Sequence, residues 1–246
     1  MEKQVLIEKL FSVGAHFGYG PSRRHPSVAP YIFGVKGGTE LINLEQTSDL
    51  MLEALAFVQS MAAQRKTILF VGGKAEAREM VTRAAERIAQ PYVAGRWIGG
   101  SLTNFAEIKK RVNRLTEHSS MLEKGELAKF TKHERLLMDR EIADLEAMFG
   151  GLRGMNKLPD AMVIVDPRHE AGAVAEAKLL NIPIVAMLNT DCDKSNILYP
   201  IPANDASIQS ITFILGEIAT MYEKNLGTAA PAGSVTAEAT VVAAAV

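Results

Sequence analysis

The feature that most constrains the fold of this chain is an alternation of short apolar runs with amphipathic segments. The apolar runs have the length and the β-branched and aromatic content of buried strands: residues 67–71, 92–93, 161–165 and 183–188. Helical spacing of apolar residues occupies the segments between or beside them: residues 47–64, 75–89, 171–180 and 205–224. This alternation predicts an α/β fold, with a doubly wound, mostly parallel sheet of the flavodoxin-like or Rossmann-like kind. Thr47 or Ser48 is placed to cap the first of these helices, and Asp205 the last.

The segment between the two halves of this pattern has its own periodicity. Apolar residues recur at helical spacing along two stretches: Phe105, Ile108, Val112, Leu115 and Leu122, then Met138, Ile142, Leu145 and Phe149. Gly125 and polar residues between them predict a turn, and so a helical hairpin. Because its apolar seam is narrow, we expect a coiled-coil hairpin that buries its own seam and projects from the sheet domain, rather than two helices that cover the sheet.

These patterns divide the chain into three parts. We expect an α/β domain from residues 1–104 plus 150–226, an inserted coiled-coil hairpin from residues 105–149, and a tail from residues 227–246. The tail carries one charge and no periodicity, which predicts disorder. The longest apolar run, residues 182–188, contains a proline and is far shorter than the roughly 20 residues of a membrane span. With one cysteine, Cys192, and no basic segment leading into an apolar run at the start, we expect a cytoplasmic protein with no membrane partner.

The net charge of −1 conceals an uneven distribution of charge. Residues 62–115 contain eleven basic and four acidic side chains, whereas residues 116–226 contain eleven basic and seventeen acidic ones. Such asymmetry is typical of a protein with one surface that faces a polyanion. A short charged run is most often only a solvated helix face. Here Glu107 is the only acid from Arg96 to Arg114, which favours a polyanionic partner.

The basic side chains suggest where such a partner would bind. Arg and Lys on a rigid frame neutralise phosphates, and aromatic or guanidinium planes stack on unpaired bases. Trp97 suits either such stacking or a place in the core. The candidate RNA-binding residues lie in the Gly-rich loop of residues 14–38, beside the lone tryptophan, and on the first hairpin helix: Arg23, Arg24, Arg96, Trp97, Lys109, Lys110, Arg111 and Arg114.

Signals for catalysis are weak. Gly72-Gly73, between a strand and a helix, suits a phosphate-binding turn, and a nucleotide-binding α/β enzyme is the alternative function. The sequence around it lacks the glycine patterns of dinucleotide and nucleotide triphosphate sites, so a tight turn is favoured. Asn189, Asp191, Asp205 and His16 are expected near the carboxyl ends of the strands, where they could hold zinc or serve as caps, turn formers and a core histidine. We favour the second interpretation and predict no metal, no cofactor and no catalytic residues.

Several motifs carry a family resemblance. They are residues 14–18 (GAHFG), 30–34 (PYIFG), 41–44 (LINL), 96–105 (RWIGGSLTNF), 158–161 (LPDA), 175–177 (AEA) and 201–205 (IPAND). Together they resemble the signatures of bacterial small-subunit ribosomal protein S-two, in the same order, over about residues 5–226. The resemblance implies a non-enzymatic, ribosome-bound structural protein with a doubly wound domain and a protruding coiled coil. It also implies binding to small-subunit rRNA, contact with other small-subunit proteins and, in many bacteria, a part in anchoring ribosomal protein S-one.

Overall fold

The computed structural model describes residues 3–124 and 131–227. The strands are β1 (Ile32–Lys36), β2 (Thr39–Ile42), β3 (Ile68–Val71), β4 (Tyr92–Val93), β5 (Ala161–Val165), β6 (Ile184–Leu188) and β7 (Tyr199–Pro202). The helices are α1 (Lys3–Ser12), α2 (Leu44–Ala63), α3 (Ala75–Arg87), α4 (Phe105–Glu123), α5 (Lys132–Phe149), α6 (Ala171–Leu179) and α7 (Ile208–Asn225). The expected turn near Gly125 and the expected disordered tail fall largely outside the described residues.

Five strands form one parallel sheet in the order β4-β3-β5-β6-β7. The chain leaves β3 toward one edge and later returns to β5 on the other side of β3. The topology therefore reverses between β3 and β5, as in flavodoxin-like sheets, and the predicted doubly wound α/β class is confirmed. The strands β1 and β2 form a separate antiparallel hairpin.

Each face of the sheet has its own apolar core. Residues alternate between the faces along each strand, so that Ile68 and Phe70 lie in one core while Leu69 and Val71 lie in the other. The first core is closed by α1, α2, α3 and α7. The second core is closed by α6 and by the ends of α4 and α5 that lie nearest the sheet. The sheet is therefore covered on both faces, as its continuous apolar strands require.

The base of the helical hairpin differs from expectation. The side chains of Ile108, Val112, Leu115, Leu145 and Phe149 are buried in the same core as the sheet, not only against each other. The reason is topological, because α4 and α5 form the connection from β4 across β3 to β5. A parallel crossover has to cover the sheet face that it passes, so the hairpin base occupies the place of a crossover helix.

Three local predictions are corrected by the structure. Residues 199–202, expected as part of a loop after residue 188, form the edge strand β7, and an edge position tolerates Pro200 and Pro202. Helix α2 begins earlier than predicted, with Asn43 as its N-cap. Helix α7 is capped by Ser207, and Asp205 is buried instead. No helix within residues 3–124 and 131–227 is long and apolar enough to cross a membrane.

Candidate nucleic-acid interface

The loop of residues 96–104 is organised around one buried carboxylate, that of Glu176 on α6. Glu176 accepts hydrogen bonds from Trp97 Nε1 (3.0 Å), Gly100 N (2.8 Å), Leu102 N (2.9 Å), Thr103 N (3.0 Å) and Thr103 Oγ1 (3.1 Å). Burial alone would raise the pKa of Glu176, but these donors outweigh it and hold the pKa below its usual value. One carboxylate therefore fixes the shape of the loop and the orientation of Trp97.

Sequence reasoning named Trp97 but missed Glu176 as its anchor. The available signal was a single acid surrounded by alanines in a helix of small residues, AGAVAEAKL. Such a residue is exposed on most helices. Here its hydrogen-bond donors come from a loop that is distant in sequence, since Leu102 lies 74 positions before Glu176. Trp97 is half-buried, so it has features of both a core anchor and a stacking surface. Its N–H is anchored inward, and part of its ring stays accessible.

The turn at Gly72-Gly73 is occupied by protein rather than left open. The N–H of Gly73 donates to Glu170 Oε1 at 2.9 Å, and this carboxylate also contacts His169 Nδ1 at 2.7 Å. A Cβ at Gly73 would overlap the carbonyl oxygen of Gly95, so the glycine permits close approach of the end of β4. The donor that a phosphate would need at this helix terminus is already used, which favours the tight-turn interpretation.

The four basic residues on α4 have different surroundings. Lys109 Nζ donates to the carbonyl oxygen of Asn156 at 3.1 Å, and Lys110 pairs with Glu107 at 2.6 Å. Arg114 pairs across the hairpin with Glu141 at 2.8 Å. Arg111 is exposed and makes no ion pair or hydrogen bond with any residue in the described ranges. Of this cluster, Arg111 is the side chain most available to an external anion.

The Gly-rich loop that precedes β1 presents its arginines beside a tyrosine and a buried acid. The Arg23 guanidinium carbon lies 5.2 Å from the centre of the Tyr19 ring, a cation–π distance. Arg24 Nη1 lies 3.4 Å from Glu40 Oε1, whose side chain is completely buried. Arg24 therefore neutralises an internal carboxylate, whereas Arg23 remains exposed at the surface.

A buried polar network lies at the carboxyl ends of the strands. Lys74 Nζ lies 3.1 Å from Asp205 Oδ2, 3.3 Å from Asp166 Oδ2 and 3.3 Å from Tyr19 Oη. Asn189 Nδ2 donates to Asp205 Oδ1 at 2.8 Å, so the expected proximity of these two residues is found. Sequence reasoning did not anticipate Lys74 or Asp166, since their neighbours come from distant parts of the chain.

The charges in this network shift the pKa values of its members. Desolvation, followed by repulsion from Asp166, raises the pKa of Asp205 to about 6. Burial works against the charged form of Lys74, but the two aspartates outweigh it and raise the Lys74 pKa. Hydrogen bonding from the His169 N–H and the Lys74 charge outweigh burial at Asp166 and lower its pKa. The ammonium of Lys74 thus supplies the cation between the two carboxylates.

The other residues considered for a metal make no direct contact with Lys74 or Asp205, although Cys192 Sγ lies 3.6 Å from Asp191 Oδ1 and 3.7 Å from Asp166 Oδ1. Asp191 pairs with Arg168 at 2.6 Å. The His16 ring stacks on Phe11 with the ring centres 4.7 Å apart, and burial lowers its pKa. Within the part of the chain that the structure describes, no three His, Cys, Asp or Glu side chains are grouped so as to hold a metal ion.

Comparison with known proteins agrees with this architecture. The sequence profile of the family described as Ribosomal protein S2 matches residues 10–225. A curated protein of Rippkaea orientalis (strain PCC 8801 / RF-1), named small ribosomal subunit protein uS2, is 42% identical over 224 residues, which is 91% of this chain and 84% of that protein. A protein of the same name from Geotalea uraniireducens (strain Rf4) is 40% identical over 215 residues, which is 87% of this chain and 84% of that protein.

The resemblance seen in the sequence motifs is therefore confirmed over most of the chain. The family consists of structural, non-enzymatic ribosomal proteins, which also confirms that the chain is not an enzyme. The five-stranded parallel sheet with helices on both faces provides the frame that carries the basic residues. This chain belongs to the ribosomal protein S2 family.

Proposed function

We propose that this protein is a structural component of the small ribosomal subunit and that it binds the rRNA of that subunit in the cytoplasm. The observation that carries the proposal is the pair of exposed guanidinium groups of Arg96 and Arg111. Neither has a charged or hydrogen-bonding partner among the described residues. Unpaired arginines on a rigid frame, in a stretch where Glu107 is the only acid, are suited to phosphate oxygens.

Two further basic side chains of α4 can join this contact at little cost. The Lys110–Glu107 and Arg114–Glu141 pairs are largely exposed, with 72% and 59% of the basic side chains accessible. Exposed pairs contribute only about 0–1 kcal/mol, so a phosphate can replace the carboxylate partner. We therefore assign Lys110 and Arg114 to the same RNA-facing role as Arg96 and Arg111. We extend this role to the exposed Arg23, and to Lys109 and Arg24, which would contact RNA while they keep their contacts with the Asn156 carbonyl and the buried Glu40 carboxylate.

We further propose that the protein contacts neighbouring small-subunit proteins, including ribosomal protein S-one where that protein is present. The N-terminal part of the chain supports this, because it exposes Phe11, Phe17 and Phe33, which are 63%, 48% and 77% accessible. Phe33 lies at the irregularity in the β1–β2 register, which leaves it outside both cores. Exposed aromatic side chains of this kind are typical of protein interfaces.

Sedimentation of a cell extract through a sucrose gradient tests the ribosomal assignment. We expect the protein to travel with free small subunits and with complete ribosomes, and to leave them only in high salt. Recovery solely at the top of a low-salt gradient would contradict the proposal.

For the protein partners, we expect Phe33→Ser to reduce recovery of neighbouring ribosomal proteins in a pull-down while the affinity for isolated rRNA stays unchanged.

A further inference from the structure

A cleft of about 450 Å³ opens beside the carboxyl ends of β3 and β5, where the topology of the sheet reverses. In open α/β sheets this is the place where ligands bind. Its size lies within the usual range for a site that takes one small organic group. The residues that line it and bear on its chemistry are Arg78, Arg96, Trp97, His169 and Glu170.

The cleft offers two guanidinium groups to an anion. Arg96 has no partner among the described residues, and Arg78 uses only its Nε, which donates to the carbonyl oxygen of Gly73 at 2.8 Å. The acid of the cleft, Glu170, is 2% accessible and is already engaged by the Gly73 N–H and by His169. The accessible charge of the cleft is therefore positive.

The aromatic member of the cleft is held in place from behind. The Trp97 N–H is anchored to Glu176, and a Cβ at position 172 would lie 3.2 Å from Trp97 Cδ1. Gly172 thus allows the indole to lie close to the start of α6. An indole fixed in this way is a preorganised stacking surface, and it stands in the same cleft as two arginines.

We infer that this cleft holds a single unpaired nucleotide of rRNA, with its base against Trp97 and its phosphate between Arg78 and Arg96. The inference rests on the proposed function and names one contact within it. A free nucleotide is the less suitable occupant, because the backbone N–H that would cradle a terminal phosphate is already bound to Glu170. An RNA phosphodiester needs no such cradle, since the rest of the RNA is held elsewhere on the protein.

The protein contains one tryptophan, so its intrinsic fluorescence reports on this cleft directly. Full-length protein would be titrated with small-subunit rRNA while Trp97 emission and filter binding are recorded in parallel. We expect a saturable change in emission with the same midpoint as filter binding. The Arg78→Gln/Arg96→Gln variant should bind rRNA more weakly, and the slope of log affinity against log salt should fall by about 0.7, the value for the one single-strand phosphate that the two arginines hold between them.

The matched control is Arg83→Gln/Arg87→Gln, which removes two charges from the same helix α3 away from the cleft. It should leave the slope and the emission change intact. If rRNA binds with its full salt dependence while Trp97 emission does not change, or if both double variants reduce the slope equally, the cleft inference fails and the proposed function stands. If adenosine monophosphate alone saturates the emission change and rRNA does not compete with it, the cleft is a free-nucleotide site and the inference is overturned. If no rRNA binds at all, both proposals fail.

Discussion

Buried carboxylates at single positions decide how the functional loops of this protein are held. Glu176 satisfies three backbone N–H groups that a loop of nine residues could not satisfy by itself. The pKa of Asp205 is raised rather than lowered. Burial and repulsion from Asp166 outweigh the stabilisation of its charge by Lys74 and by the hydrogen bond from Asn189. The two acids therefore respond differently to substitution and to pH.

Replacing the Glu176 carboxylate should loosen the loop that carries Arg96 and Trp97. In Glu176→Gln the amide NH₂ would face donors, so at least one buried N–H would have no acceptor. We expect the free energy of unfolding to fall by about 2–4 kcal/mol, which is the usual cost when a buried N–H loses a charged hydrogen-bond acceptor. Urea denaturation measures this, with Lys178→Gln on the exposed side of α6 as the control. A decrease no larger than that of the control would show that Glu176 is not the anchor.

The raised pKa of Asp205 gives a defined pH dependence. Its ordinary value is 3.8 and its value in the folded protein is about 6, so the folded state binds the proton more tightly. As pH rises from about 4 to 6, Asp205 thus becomes progressively destabilising, and this cost is fully present above pH 6. Compared with Asp205→Asn, the wild-type protein should lose relative stability across that interval. Denaturant titrations of both proteins at each pH test this, and a relative gain would mean that Lys74 dominates.

At the scale of elements, the hairpin divides into a base and a distal part. Leu115 on α4 is completely buried, whereas Leu136 and Leu137, near the start of α5, are 47% and 50% accessible. We propose that the distal part is a projecting coiled coil that the α/β domain does not need. The N-terminus of α5 is stabilised locally, because Thr131 and Glu134 form a reciprocal capping box. The base, by contrast, closes the core under the sheet.

Removal of residues 117–140, with a short Gly/Ser linker in their place, should preserve a single cooperative unfolding transition. The linker leaves Ile108, Val112, Leu115, Leu145 and Phe149 in place, so the core beneath the sheet remains closed. Leu115→Ala in the full chain should instead lower the free energy of unfolding by about 2–5 kcal/mol, the range for a buried leucine. Calorimetry distinguishes the two, and a broad, non-cooperative transition in the shortened protein would show that the distal helices are part of the fold.

At the scale of the whole molecule, the net charge of −1 is the sum of unlike regions. A basic region can bind polyanion while the acidic remainder limits nonspecific adhesion to other nucleic acids. Two arginines of α3 are neutralised outside the proposed interface: Arg83 pairs with Glu79 on the same helix, and Arg87 pairs with Glu223 on α7. The charge available to RNA is therefore concentrated near the loop of residues 96–104 and the base of α4.

Neutralising the α4 cluster should weaken rRNA binding in a salt-dependent way. In the variant with alanine at Lys109, Lys110, Arg111 and Arg114, the slope of log affinity against log salt should fall by up to about 2.8, at about 0.7 for each phosphate that is no longer neutralised. Filter binding at several salt concentrations measures the slope. The greatest single effect is expected for Arg111, the unpaired member. An unchanged slope would identify the cluster as a solvated helix face.

Local pattern was sufficient to predict four of the five strands of the parallel sheet, most helices and the two helices of the hairpin, because period and length are properties of neighbouring residues. Runs such as residues 161–165 are apolar throughout only when both faces are buried, so they already imply a parallel sheet. The motif RWIGGSLTNF, which helped to carry the family resemblance, and the basic run on α4 were also visible in the sequence. Residues 199–202 escaped this reasoning because proline obscures an edge strand.

Only the tertiary structure decided which polar residues meet. Lys74, Asp166 and Asp205 follow β3, β5 and β7, and the parallel sheet brings them to one edge although up to 131 positions separate them. Likewise, Glu176 on α6 anchors a loop that belongs to the connection between β4 and β5. The base of the hairpin lies in the core because that same connection crosses β3. Periodicity reports whether a side chain is buried, but the partners of a buried charge depend on strand order, which no local pattern contains.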